Sequence, residues 1–221
     1  CYLMMPRIFR KAAEQYFRKQ MELLTSAGFD ALGIGSMEEP GFLQEAGIEL
    51  PMYFDQGMYS WNHLAGAAME RYGADRLTIP VELNEREIRN SGVQGEMIVY
   101  GYLPMMISAQ CIRKTTLGCS GKPEIMWLKD RKDMRFPVVN QCRFCYNTIY
   151  NSAPLSLLGL SEQVTGLKPN AVRLNFTVEE PAAAGEILDA FFEEYGMSEK
   201  AAEPPVLRNQ FTRGHFKRGV E

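Results

Sequence analysis

Long apolar runs are missing from the sequence. The most extended, Met97 to Ile107, is broken by Gly101 and Pro104 and falls short of the roughly 18–20 residues that cross a bilayer. No basic segment followed by an apolar one marks the chain for export, so a cytoplasmic protein without a membrane span is expected. Histidine is scarce: His63 and His215 are the two in 221 residues. Neither belongs to an H-E-x-x-H helix, and no G-x-S-x-G elbow occurs, which excludes two common hydrolase signatures. Gly33-Ile-Gly35 lacks the third glycine of a dinucleotide fingerprint, since Glu38 stands there, and no G-x-x-x-x-G-K-[ST] phosphate loop is present.

What is present is the balance of an ordinary globular chain, 46% apolar and 23% charged. A chain of this length buries enough surface to fold without disulfide staples, and a single barrel of roughly 200–250 residues would use it completely. The net charge is −3, but it is unevenly placed. Between Gln110 and Tyr146 eight basic residues face Glu124, Asp130 and Asp133, so this segment is +5 and the remainder −8. A local basic cluster sets the field that an anionic ligand meets, although solvated loop charges would look the same.

Short β-branched and aromatic runs alternate with segments of helical period. Strands are expected at Tyr2–Met5, Ala31–Ile34, Met52–Asp55, Leu77–Leu83, Met97–Tyr100 and Val172–Val178. Helices are expected from Arg10 to Ser26, from Trp61 to Tyr72 with Ser60 as cap, and from Pro181 to Tyr195. Regular βα alternation predicts parallel strands under covering helices, and hence a TIM-like (β/α) barrel or partial barrel over residues 1–197. Residues 198–221 read as a polar linker and a basic carboxy-terminal tail. The rhythm breaks after Tyr100, and residues 101–150 form a long irregular insert placed at the C-terminal end of a strand, where barrels carry their chemistry.

Four of the five cysteines fall in that insert, spaced Cys111-x7-Cys119-x22-Cys142-x2-Cys145. A C-x-x-C turn brings two sulfurs to one centre, and two more thiolates complete a four-sulfur site. The irregular gaps suit a [4Fe–4S] cluster, with zinc as the alternative metal. Buried thiols and disulfides are the competing readings; the absence of an export signal counts against disulfides.

The stretch Glu96-Met-Ile-Val-Tyr-Gly-Tyr-Leu-Pro-Met-Met-Ile-Ser-Ala-Gln-Cys111, with Lys129-Asp-Arg-Lys-Asp133, Ile149-Tyr-Asn-Ser-Ala-Pro-Leu155, Arg173-Leu-Asn-Phe-Thr-Val-Glu179 and the tail Phe211–Val220, resembles the collagenase-like peptidase family U32. The likeness covers nearly the whole chain and is greatest to the carboxy-terminal barrel segment of longer members, in agreement with a start at Cys1 inside a strand. An amino-terminal domain of the same longer protein is therefore an expected partner. Glu96, Gly101, Leu103 and Cys111 match the family pattern, whereas Ile98, Tyr102, Pro104 and Ala109 depart from it.

The resemblance implies one of two activities. One is oxygen-independent hydroxylation of RNA bases, in ribosomal or transfer RNA, or of a quinone precursor, with a [4Fe–4S] cluster and prephenate as co-substrate. The alternative is a peptidase of unassigned catalytic type. A third reading is a non-catalytic, metal-stabilised module supporting an amino-terminal catalytic half. Arg113, Arg131, Arg135 and Arg143 are candidates for binding RNA or a small anionic substrate, or for pairing with nearby aspartates. Asp55, Glu82 and Glu179 at strand ends, with His215 in the tail, are the candidate acid–base groups. Tyr100, Tyr102, Phe144 and Tyr146 are expected to shield the cysteine site from water, or else to stack on a base. Asn84, before Glu85-Arg-Glu87, reads as a helix cap.

Overall fold

The computed structural model describes residues 1–197 and 210–219. Strands β1 (Tyr2–Met4), β2 (Ala31–Ile34), β3 (Met52–Phe54) and β4 (Ala74–Leu77) pair in parallel in that order. β5 (Glu96–Gly101) continues the array through a single parallel bridge, Thr78 to Glu96. On that same edge, at its C-terminal end, β5 pairs antiparallel with the two-residue β10 (Leu155–Ser156), and its other edge pairs in parallel with β11 (Ala171–Asn175). The ladder does not run through 78–83 as the sequence suggests, because Pro80 has no N–H to donate.

Helices fill the crossovers. α1 (Lys11–Lys19) and α2 (Met21–Ser26) replace the one expected helix. They meet at Gln20, whose N–H bonds to Phe17 three residues back and tightens the chain. α3 (Glu38–Glu45) follows β2. α4 (His63–Arg71) is capped by Asn62, whose side chain accepts the Ala65 N–H, while Ser60 donates to the Thr78 carbonyl instead. Asn84 caps α5 (Glu85–Ser91) in a reciprocal capping box with Glu87. α7 (Ser161–Gly166) precedes β11, and α8 (Pro181–Glu194) follows it with Pro181 in its first turn.

The molecule is thus mixed α/β, with a parallel sheet and covering helices. Its six parallel strands are bent. β3 and β11 are three strand spacings apart along the ladder, about 14 Å if flat, yet Asp55, just after β3, pairs with Arg173 of β11 at 2.7 Å. No pairing joins β11 to β1 among the described residues, so the closed TIM-like barrel is not formed. The residues that two further βα units would need are used otherwise.

That use is the segment after β5. It is not an irregular loop: β6 (Pro104–Ser108), β7 (Ile125–Lys129), β8 (Arg135–Gln141) and β9 (Tyr146–Tyr150) form an antiparallel sheet in the order β6-β9-β8-β7, with α6 (Ile112–Thr116) between β6 and β7. Gly101 is the junction. At φ 146 its backbone occupies a region open to glycine, and a Cβ there would lie 2.9 Å from the Asn175 Cβ. This gives the glycine of the family pattern a steric reason.

Residues 210–219 lie back on the body. Phe216 is buried in the core and its carbonyl accepts the Glu85 N–H, and Arg213 donates to the carbonyls of Ser156 and Leu158. The expected linker lies outside the described residues.

Candidate functional site

The cysteines come from three turns. Cys111 caps α6, its sulfur accepting the Lys114 N–H at 3.4 Å. Cys119 lies in the turn that follows. Cys142 and Cys145 occupy the tight turn between β8 and β9, where Cys142 donates to the Lys122 carbonyl at 2.9 Å and Cys145 takes a left-handed φ of 54. All four are free thiols and all four line one cavity of about 430 Å³. Desolvation pushes the Cys142 thiol up, and Cys111, Cys119, Glu124 and Cys145 add to it. Mutually repelling thiolates of this kind are what a cationic centre relieves. Among the described residues, no three His, Cys, Asp or Glu side chains are grouped tightly enough to hold a single metal ion.

Behind this cavity lies a larger one, about 510 Å³, at the C-terminal ends of the parallel strands. Gln141 and Tyr146 line both, so they form the partition between the cysteines and the strand ends. The Tyr146 hydroxyl accepts the Arg7 N–H, and burial raises its pKa. A third cavity of about 320 Å³ adjoins the second and shares Arg7, Gln56, Pro104 and Ile107 with it; Glu82 and His215 are on its wall.

Asp55 organises the strand ends. It accepts from Arg7 at 3.3 Å and from Arg173 at 2.7 Å, and Arg173 also reaches Glu96 at 3.1 Å. Burial raises the Glu96 pKa, against the opposing field of Arg173. Arg7 runs in a slot between two glycines. A Cβ on Gly57 would occupy the place of its guanidinium, and one on Gly35 would come 2.9 Å from its Cδ. Beneath that loop Glu39 is fully buried, accepting the Gly35 and Ser36 N–H groups. Desolvation pushes its carboxyl to about 8, so it is protonated at neutral pH.

Of the candidate acid–base groups, Asp55 lines the second cavity, and Glu82 and His215 line the third. His215 Nδ1 donates to the Gly219 carbonyl at 2.8 Å, which leaves Nε2 as the acceptor of the neutral ring. Glu179 accepts the Thr177 and Val178 N–H groups, and its Oε1 is buried without a partner. It stands beside Tyr100 and Tyr102, whose hydroxyls burial and this carboxylate both push up.

The four candidate arginines are not gathered together. Arg113 is tied to Glu124 at 2.6 Å and to the Gly118 carbonyl, bracing the cysteine loop. Arg143 covers the Tyr16 ring at 4.6 Å and lines the strand-end cavity. Arg131 and Arg135 are exposed at the far end of β7 and β8. Of the four aromatics, Tyr146 lines the cysteine cavity; Phe144 packs instead on Phe17 and Tyr16, and Tyr100 and Tyr102 lie with Glu179.

Sequence reasoning missed Arg7, Arg173 and Glu39. Arg7 stands three residues after the end of β1, in the loop at its C-terminal end, and that position was its available signal.

A bent parallel array whose strand ends carry charged groups, with a cysteine-bearing sheet beside them, defines an α/β protein with its site at the C-terminal edge. The Peptidase family U32 model matches residues 1–186, and the chain belongs to that family. No curated protein and no solved structure matches it. No helix among the described residues is long and apolar enough to cross a membrane.

Proposed function

We propose that Cys111, Cys119, Cys142 and Cys145 hold a [4Fe–4S] cluster, and that the chain carries out oxygen-independent hydroxylation of RNA bases, in ribosomal or transfer RNA. The supporting observation is the shared wall: all four thiols line one cavity, and its Gln141 and Tyr146 also face the cavity at the strand ends. A single zinc ion draws its sulfurs to about 2.3 Å from one point. The wide and irregular spacing of the four thiols, which line one cavity of some 430 Å³, is our reason for favouring the polynuclear centre. Free cysteines fit a reducing compartment, and we place the protein in the cytoplasm.

When bound, such a cluster supplies one-electron redox chemistry that side chains lack. The chain's own residues bind and orient. Arg7 and Arg143 present guanidinium groups to the strand-end cavity and can hold the carboxylates of a small co-substrate such as prephenate. Asp55 fixes Arg7 from behind, and Tyr146 separates the ligand from the thiols. His215 Nε2 and Glu82, across the adjoining cavity, can accept and pass a proton.

Anaerobic purification with iron, sulfide and zinc analysis tests this. Iron and acid-labile sulfide in equal amounts, lost on Cys142→Ala together with RNA hydroxylation, are expected; stoichiometric zinc without sulfide replaces the cluster by a structural metal and favours the non-catalytic module. Digestion of denatured collagen that His215→Ala abolishes would establish the peptidase alternative instead.

A further inference from the structure

The edge strand β7 exposes Ile125 and Trp127, 49% and 57% accessible, with Lys129 on the same side. Directly opposite residues of an antiparallel pair share a face. Trp127 is opposite Pro137, and Lys129 is opposite Arg135. On the next pairing Val139 is opposite Thr148, and Gln141 is opposite Tyr146. Because Pro137, Val139 and Gln141 alternate along β8, all these residues lie on one face of the sheet. Gln141, Tyr146 and Thr148 are wall residues of the strand-end cavity. The exposed face of β7 is therefore the outward continuation of that wall, with Ile125 two strand spacings, about 10 Å, from Thr148 and Trp127 the next residue along the same face.

The turn beyond β7 adds Arg131 and Lys132. Among the described residues, neither they nor Arg135 has an ion-pair partner, whereas Lys129 pairs with Asp133 at 2.7 Å. A protruding indole among unpaired cations is complementary to one kind of polymer: unstacked rings joined by anionic links.

We propose that this face is a docking surface for single-stranded polynucleotide. Trp127 stacks on one base while Arg131, Lys132 and Arg135 meet neighbouring phosphates, and the strand passes Ile125 and the partly exposed Val139 and Gln141 toward the cavity. This deepens the reading above by locating the substrate track, and it rests on that reading for what happens at the cavity.

The test uses the chain with its metal content measured in each preparation. Binding of a labelled single-stranded RNA of about ten nucleotides is followed by anisotropy across a salt series. Trp127→Ala is expected to weaken binding by about five-fold or more, with Trp127→Phe restoring most of it. Replacing Arg131 and Lys132 by Ala should reduce the slope of log affinity against log salt by about 0.7 for each phosphate that is no longer neutralised. Single-stranded DNA of the same sequence, bound through the same Trp127, supports the surface and identifies it as indifferent to the 2′-hydroxyl.

Unchanged affinity in a folded Trp127→Ala variant overturns the proposal. So does equal competition by an acidic peptide, or a Trp127-dependent change in oligomeric state without any change in RNA affinity. The two readings fail separately. Trp127-dependent binding by a cluster-free preparation leaves the surface standing and removes the redox chemistry; cluster with Trp127-independent binding does the reverse.

Discussion

In the parallel array Leu32, Ile34, Phe54 and Val99 have at most 1% of their surface exposed, while β7 of the antiparallel sheet leaves Ile125 and Trp127 about half in solvent. Of the array, β2 is buried along its whole length, as inner parallel strands usually are, whereas the edge strand β1 leaves Tyr2 and Met4 half exposed. The second sheet buries Pro137, Val138, Asn140, Tyr146, Asn147 and Thr148, a mostly polar set, and its turns are held by short polar contacts around the cysteines. Apolar burial is therefore distributed unevenly, concentrated in the parallel body, while the buried positions of the cysteine sheet are mostly polar.

Loss of the proposed centre is expected to break this contrast most strongly. Chelation, or Cys119→Ala, is expected to open residues 109–124 to limited proteolysis while the parallel body stays resistant, as mass spectrometry of the fragments would read. Uniform protection would mean that the sheet stands without its centre.

The converse experiment attacks the body. Asp55→Ala leaves Arg7 and Arg173 without their shared carboxylate, and breaking a mostly buried pair costs about 3–5 kcal/mol. The denaturation midpoint should fall accordingly while iron content per folded chain is retained.

Glu39 sharpens the comparison through pH. Its folded pKa of about 8 lies above the usual carboxylate value, so the unfolded chain gives up this proton first as pH rises. Stability from this residue is complete below about pH 4 and declines as pH rises to about 8, on the order of a few kcal/mol. Glu39→Gln should remove that slope between pH 5 and 8 in urea titrations. A slope that persists would assign the dependence to other groups.

The smallest effect is expected at α5, where Asn84→Ala removes a capping box and should cost about 1 kcal/mol without altering metal content.

Much of the body was legible because it is repetitive. Ala31–Ile34 and Met52–Asp55 are apolar runs between helices, and Pro181 and Asn84 mark helix starts by chemistry that does not depend on tertiary context. The cysteine spacing suggested that the four side chains meet, and they line one cavity. The sheet that carries them was not legible. Pro104, Pro137 and Asn147 break the strand patterns, and the β7–β8 hairpin turns through Asp130–Met134, which carries no glycine to mark it. Arg7 and Arg173 were missed for a related reason: their importance comes from meeting Asp55 across a bent sheet, and bending leaves no local mark.

Cys145 carries a conflict between two demands. Its left-handed backbone costs a side-chain-bearing residue about 1–2 kcal/mol that glycine would not incur. A Cys145→Gly chain should therefore unfold at higher denaturant than Cys145→Ala when both lack the centre. Stability alone favours glycine at this corner, so a sulfur there is evidence of a use that outweighs the strain, and a screen for thermal robustness would discard it among the first.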